Sequence, residues 1–321
     1  MSQNQIAKQN NSTAILGETE VFIRRSAAGA IKAIKGKVNL LESKGHLAKI
    51  QDKVMITEAG YRELNKIAGV SIITPEKLTL PDGKVVVNPY PIVDPVSGTI
   101  SKVWVKKIGI GYSPIGNLVI TSSTLLYDIQ MYLIQDLAKK VQYNKDAGRI
   151  CMEQTLSEED MKRGAFFKIE GNVGVWVDLS HKDVLKAFDT FINNKLFAER
   201  KAQTICERNV LKKHPSLSTT YVEPQMLNGK HVGQVTVIGF THDLSKDELL
   251  EMADQAERGE PIKVRGEDAQ IIDHYDDVTE EDIVSSTDED EIAQQVKDEG
   301  QQPAQNQSAD PTFFNESGVV F

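Results

Sequence analysis

The chain has 321 residues, 40% of them hydrophobic, and a formal net charge of -9 that is unevenly divided. Residues 1–243 carry 32 Lys and Arg against 24 Asp and Glu, a balance of +8, whereas residues 244–321 carry 5 against 22, a balance of -17. The body can attract polyanions and the tail cannot. No run approaches the roughly 18 apolar residues of a membrane span. Cys151 and Cys206, far apart and without CxxC spacing, encode neither a disulfide framework nor a zinc ribbon.

The opening MSQNQIAKQNNSTAILGE is polar and lacks the apolar run of a signal peptide, so residues 1–19 read as the flexible start of a cytoplasmic protein. VFIRRSAAGAIKAIKGKVNLLES reads as helical, from its alanines and its apolar residues at mixed three and four spacing. ITEAGYRELNKIAGVS predicts a helix over 58–68, with Thr57 as N-cap and Gly69 as stop, and turns Ala59, Leu64, Ile67 and Ala68 toward a core.

Between residues 78 and 124 the texture changes to short β-branched runs punctuated by turn formers. LTL, Pro81-Asp82-Gly83 and KVVV read as a hairpin, IVDPVSG leads into TISKVWVKKIGIGY, and NLVITSS follows another Pro and Gly cluster. Val103 and Val105 alternate with Lys102, Trp104 and Lys106, so a Trp flanked by lysines faces away from two valines. That is a candidate stacking surface, and a core position for the Trp is the other reading.

A helix over 125–142 follows, with Leu126, Ile129, Leu133, Leu137 and Val141 along one stripe. AFFKIEGNVGVWVDLS, 165–180, reads as a second sheet element turning at Gly171-Asn172. Residues 183–214 read as one helix, or two joined near Asn193-Asn194, ended by Pro215. QVTVIGFT, 234–241, reads as a last strand, 244–267 as a linker or short helix, and 268–321 as a disordered acidic tail. Helices bracketing hairpins without alternating βαβ units predict an α+β fold, an antiparallel hairpin-rich sheet packed with helices, with residues 20–243 as its basic core.

The chemistry-bearing patterns are mostly missing. GxxxxGK[ST] does not occur: Gly111 to Gly116 has Asn117 where the phosphate-reaching Lys belongs, and GIGYSPIG reads as a turn between strands. HExxH, GxSxG and catalytic Cys/His signatures are also absent from the sequence. The expectation is a protein without catalytic residues, metal or cofactor.

The positive signal is KLFAERKAQTICERNVLKKH, 195–214. Lys201, Arg208 and Lys212 sit at i, i+7 and i+11, within about 40° of one another on a helix, a ridge suited to a phosphate backbone or, alternatively, a solvated face. Arg200 and Lys213 extend it. Arg24 and Arg25, with Lys32, Lys35 and Lys37, make the N-terminal segment basic, and Lys102, Lys106 and Lys107 surround Trp104. Cations interleaved with aromatics suit single strands, whose phosphates meet the charges while unstacked bases lie on rings.

The segment AERKAQTICERNVLKKHP, with the basic α+β body, the hairpin-rich centre and the acidic tail, resembles phage single-strand annealing proteins of the RecT, Redβ and Erf type. The resemblance implies a homo-oligomer that binds single-stranded DNA and pairs complementary strands without ATP, with Arg200, Lys201, Arg208, Lys212 and Lys213 as backbone contacts. The end DPTFFNESGVVF is similar to the Phe-terminated tails with which bacterial single-strand binding proteins recruit partners, which implies a host or phage replication or recombination protein as the partner of this tail. It departs from them in having only Asp310 and Glu316 near Phe321. The alternative function is a structural or scaffolding protein of phage assembly.

Overall fold

A computed structural model describes residues 13–14, 20–26, 29–50, 53–218, 222–241, 244–264 and 267–276. β1 (Thr13–Ala14), β2 (Glu20–Ser26) and β3 (Gly29–Leu41) run antiparallel in one sheet. Helix was expected here, and the alternation in β3 explains the difference. Ile34, Gly36, Val38 and Leu40 interleave with Lys35, Lys37 and Asn39, a period of two that outweighs the helix preference of the neighbouring alanines.

β4 (Leu47–Ile50) and β5 (Lys53–Ile56) form a hairpin that leads into α1 (Glu58–Ala68). The helix has the expected limits: Thr57 Oγ1 accepts the Gly60 N–H at 3.2 Å, and Gly69 stops it at φ 72°. Leu64 and Ala68 are buried as expected, Ala59 and Ile67 are half-buried, and Tyr61 joins the core.

β6 (Ser71–Ile73) is followed by the hairpin of β7 (Lys77–Thr79) and β8 (Val85–Val87), as Pro81-Asp82-Gly83 predicts. Next come β9 (Tyr90–Val93), β10 (Ile100–Tyr112) and β11 (Leu118–Asp128). β10 pairs with β11 from Lys102 opposite Asp128 to Tyr112 opposite Leu118, and with β6 and β9 along its other edge. The predicted helix start at 125 falls inside β11. Asp128 instead caps α2 (Ile129–Tyr143), accepting the N–H groups of Gln130 and Met131.

α2 packs with β12 (Gly148–Met152), β14 (Val173–Asp178) and α4 (Lys182–Leu196), while α3 (Glu158–Arg163) packs on β13 (Gly164–Glu170). The three strands form a sheet in the order β12-β14-β13, and Leu137, Val175, Val177 and Val184 centre a core between it and the helices. Trp176 is structural here: its indole N–H donates to the Asp160 carbonyl at 3.0 Å beneath the Arg149 guanidinium.

Residues 183–214 prove to be two helices, α4 and α5 (Ala198–Lys213), meeting at Phe197. Of the GIGYSPIG glycines only Gly116 serves the turn, at φ 85°. Gly109 and Gly111 lie in β10 under α5, where added Cβ atoms would come within 2.5 Å of Val210 and 3.1 Å of His214. These glycines let the helix lie close to the strand.

β15 (Gln225–Leu227) and β16 (Lys230–Thr241) complete the first sheet, with β16 antiparallel to β3 from Val232 opposite Leu41 to Thr241 opposite Lys32. A Cβ at Gly239 would collide with the Ile67 carbonyl, so α1 can rest on the sheet only because that position is glycine. The segment expected to be a linker or short helix contains α6 (Lys246–Glu257), opened by a capping box of Ser245 and Glu248. β17 (Lys263–Val264) and β18 (Glu267–Asp268) form a small hairpin.

The tail does not begin at 268. β19 (Gln270–Asp276) pairs parallel with β11, from Gln270 beside Val119 to Asp276 beside Leu125, and Ile271 packs into the core under α6. Residues 277–321 of the expected acidic tail lie outside the described residues. The fold is α+β, with α5 on one face of the β10–β11 ribbon and α6 on the other. Among the described residues no helix is long and apolar enough to cross a membrane.

His214, at the end of α5, is fully buried, and burial pushes its imidazole down to about 4, offset only in part by the Val119 backbone. The folded state therefore takes up its proton at lower pH than the unfolded chain, whose imidazole titrates near 6.5. Stability should be full above pH 6.5 and fall by about 3 kcal/mol as the pH drops toward 4. Burial also lowers His46 and His274, so the slope is shared. Urea titrations of His214→Asn across this range should show a shallower pH dependence than wild type; an equal slope would refute the assignment.

Candidate nucleic-acid interface

The predicted ridge on α5 is not a surface feature. Arg208 is 1% exposed and Lys201 5% exposed, because α5 is enclosed by the β10–β11 ribbon, α1 and α4. Arg208 Nε donates to the Ile56 carbonyl at 3.4 Å, and Lys201 Nζ donates to Asn194 Oδ1 at 3.0 Å. Neither side chain can reach a docked phosphate while α5 stays in place. Lys212 and Lys213 are half-buried in the last turn, and Arg200 is exposed with its guanidinium 6.0 Å from the Phe197 ring.

The i, i+7, i+11 spacing fixes which side chains share a face but not what covers that face. Ala198, Ala202, Ile205, Cys206, Val210 and Leu211 were the available sign of enclosure, since they occupy too wide an arc for a helix resting on one surface. Cys206 confirms the depth of this packing: its thiol faces the Ser123 carbonyl at 3.2 Å and burial raises it to about 12.

The three lysines near Trp104 separate by parity along β10. Lys107 points toward α5, where it pairs with Glu207 at 2.6 Å, and Glu207 also meets Arg62 at 3.0 Å. Burial pushes the Glu207 carboxyl up, but the hydrogen bonds and charges of Lys107 and Arg62 outweigh it and hold the group below its ordinary range. Lys107 is therefore a structural ion-pair partner and not part of the surface with Trp104.

Lys102, Trp104 and Lys106 share the opposite face, as the alternation predicted. Trp104 is half-buried and sits directly across from Tyr90 on β9 and Leu126 on β11, so three half-exposed side chains form a row over three strands. Lys84 Nζ lies 5.9 Å from the Tyr90 ring centroid. On either side of Trp104, Lys102 pairs with Asp128 and Lys106 with Glu257, each at 2.7 Å.

The row is held by a residue absent from the sequence reading. Asn88 donates to the Lys106 and Pro75 carbonyls at 2.8 Å and accepts the Lys106 N–H at 3.0 Å, tying the start of β9 to β10. Tyr90 was legible in principle. Counting back through an antiparallel pair from the turn at 94–99 places it beside Trp104, although the register shift between Ile100 and Lys102 obscures the count.

Arg24 and Arg25 lie in β2, opposite Ile31 and Ala30 of β3, and their side chains are outside what is described. Among the described residues no group of three or more His, Cys, Asp or Glu could hold a metal ion. No protein-family model, curated protein or solved structure matches the chain. The chemistry that the row offers is ring stacking beside cations, worth about 1–3 kcal/mol per stacked base.

Proposed function

We propose that this protein binds single-stranded DNA and pairs complementary strands without nucleotide hydrolysis, as a non-enzymatic, homo-oligomeric annealing protein of phage recombination in the host cytoplasm. The observation that carries this reading is the row of Tyr90, Trp104 and Leu126, with Lys84 at one end and Lys102 and Lys106 beside the indole. Bases of an unpaired strand have exposed faces for the rings, whereas the bases of a duplex are already stacked. The host or phage partner of the acidic tail belongs to the same proposal.

Trp104→Ala should weaken binding of a labelled single-stranded oligonucleotide by about tenfold, the loss of one stacked base. Trp104→Phe should restore most of it. Lys102→Ala should instead lower the slope of log affinity against log salt by about one phosphate contact. Fluorescence anisotropy across a salt series measures both, and unchanged affinity in Trp104→Ala would refute the platform.

One observation favours the structural or scaffolding alternative. Leu185, Ile192 and Leu196, at i, i+7 and i+11 of α4, are exposed together and form an apolar stripe suited to a protein contact. If that reading is correct, replacing all three by Ser should abolish assembly, and wild type should assemble while binding no oligonucleotide at low salt.

A further inference from the structure

We propose that the outer face of β3 and β16 is a second nucleic-acid track, taking the phosphate backbone of a further strand while the first lies on Tyr90 and Trp104. This rests on the reading of the protein as a single-strand binder. Lys35 and Lys37 are both exposed on the same face of β3, two residues and so about 7 Å apart. Opposite them on β16 stand Ile238 and Thr236, and next along the strands the Gln234 amide donates to Asn39 at 3.0 Å. The face thus combines two cations with neutral groups that can donate to phosphate oxygens.

Its electrostatics differ from those around Trp104. Lys102 and Lys106 each hold a carboxylate, whereas among the described residues neither Lys35 nor Lys37 forms an ion pair. A lysine that holds no carboxylate releases its counterions when it meets a phosphate, without first giving up an ion pair.

The placement of α6 separates the two tracks. Further along the same face, Ala33 of β3 and Phe240 of β16 are buried in one cluster with Ile108 and Ile110 of β10, beneath Met252 and Ala253 of α6. The outer faces of the two sheets therefore look to the same side of the molecule, with α6 over the cluster that joins them and Lys106, beside Trp104, paired with Glu257 in its last turn. The exposed side of α6 carries Asp247, Glu251 and Asp254. A strand crossing it would bring its phosphates against those carboxylates, so the geometry favours two separate strands over one continuous path. Pairing complementary strands requires both to be held, and this face supplies a place for the second.

The test uses the full chain with Lys35→Glu and Lys37→Glu together. Protein is first loaded with one molar equivalent of an unlabelled oligonucleotide, and a second, labelled and non-complementary, is then titrated in. The double variant should bind the second strand at least tenfold more weakly and anneal complementary strands correspondingly more slowly. Its affinity for the first strand should change by less than twofold, its thermal stability should be that of wild type, and Lys35→Arg with Lys37→Arg should behave as wild type. An equal loss for the first strand would make these lysines part of the Trp104 track and overturn the second one, as would unchanged binding of the second strand. If wild type takes up one strand through Trp104 and never a second, only this inference fails. If it binds no oligonucleotide at all, the functional reading fails with it.

Discussion

Replacing Arg208 by Ala should lower the stability of the protein by about 3 kcal/mol or more and leave its intrinsic affinity for DNA unchanged. The side chain is among the largest that are fully buried, and its Nε donates to the Ile56 carbonyl at the end of β5. Truncation removes the packing of a long side chain between α5, α1 and β5 and leaves that carbonyl without this donor. Both losses act in the folded state alone. In a domain of this size such a change corresponds to a fall of about 10 °C in melting temperature, with a matching drop in the urea midpoint. Lys201→Ala should show a milder form of the same effect, through its bond to Asn194. A variant at 208 that keeps its urea midpoint but loses affinity for single strands would instead return α5 to the binding surface and require the helix to move on binding.

The contrast with Trp104 shows what was legible in the sequence. Local signals were sufficient wherever one residue type fixes one piece of backbone geometry. Thr57 and Gly69 bound α1, Asp82 and Gly83 turn β7 into β8, and strict alternation from Lys102 to Lys106 correctly sorts Trp104 from its valine neighbours. The failures share a different cause, which is that the deciding contacts are distant in the chain. β3 carries a local alternation and a hairpin partner in β2, but its length is set by β16, some two hundred residues later, which pairs with it along ten positions. β19 was hidden in acidic sequence because a short parallel strand at a sheet edge needs few apolar residues of its own; its register beside β11 and the burial of Ile271 are supplied by the partner. The basic face of α5 was misread for the same reason. A cation repeat on a helix describes the helix alone, and whether it meets water or protein is decided by β10, α1 and α4.

Ending the chain after Asp276 should tighten binding to single strands about tenfold at low salt, and the gain should disappear near 1 M salt, where the screening length falls to about 3 Å. Residues 277–321 carry twelve Asp and Glu against one Lys, a net charge of -11, and their first residue follows directly on β19. β19 ends with Asp276 beside Leu125, and the next residue of β11, Leu126, stands across from Trp104. β19 therefore ends one strand from Leu126 and two strands, about 10 Å, from Trp104, close enough for the acidic segment that follows to compete with phosphate for Lys102 and Lys106. Ending the chain after Glu267 removes a net charge of -14 and also β19, with Ile271 from the core and the Asp273 partner of Ser122. That shorter protein should lose stability, exposing the β11 edge, and any gain in affinity should be masked by partial unfolding. Anisotropy and urea titration of the two truncations side by side separate the effects. If the protein ending at Asp276 binds no more tightly than the full chain at low salt, the acidic segment does not compete for this surface.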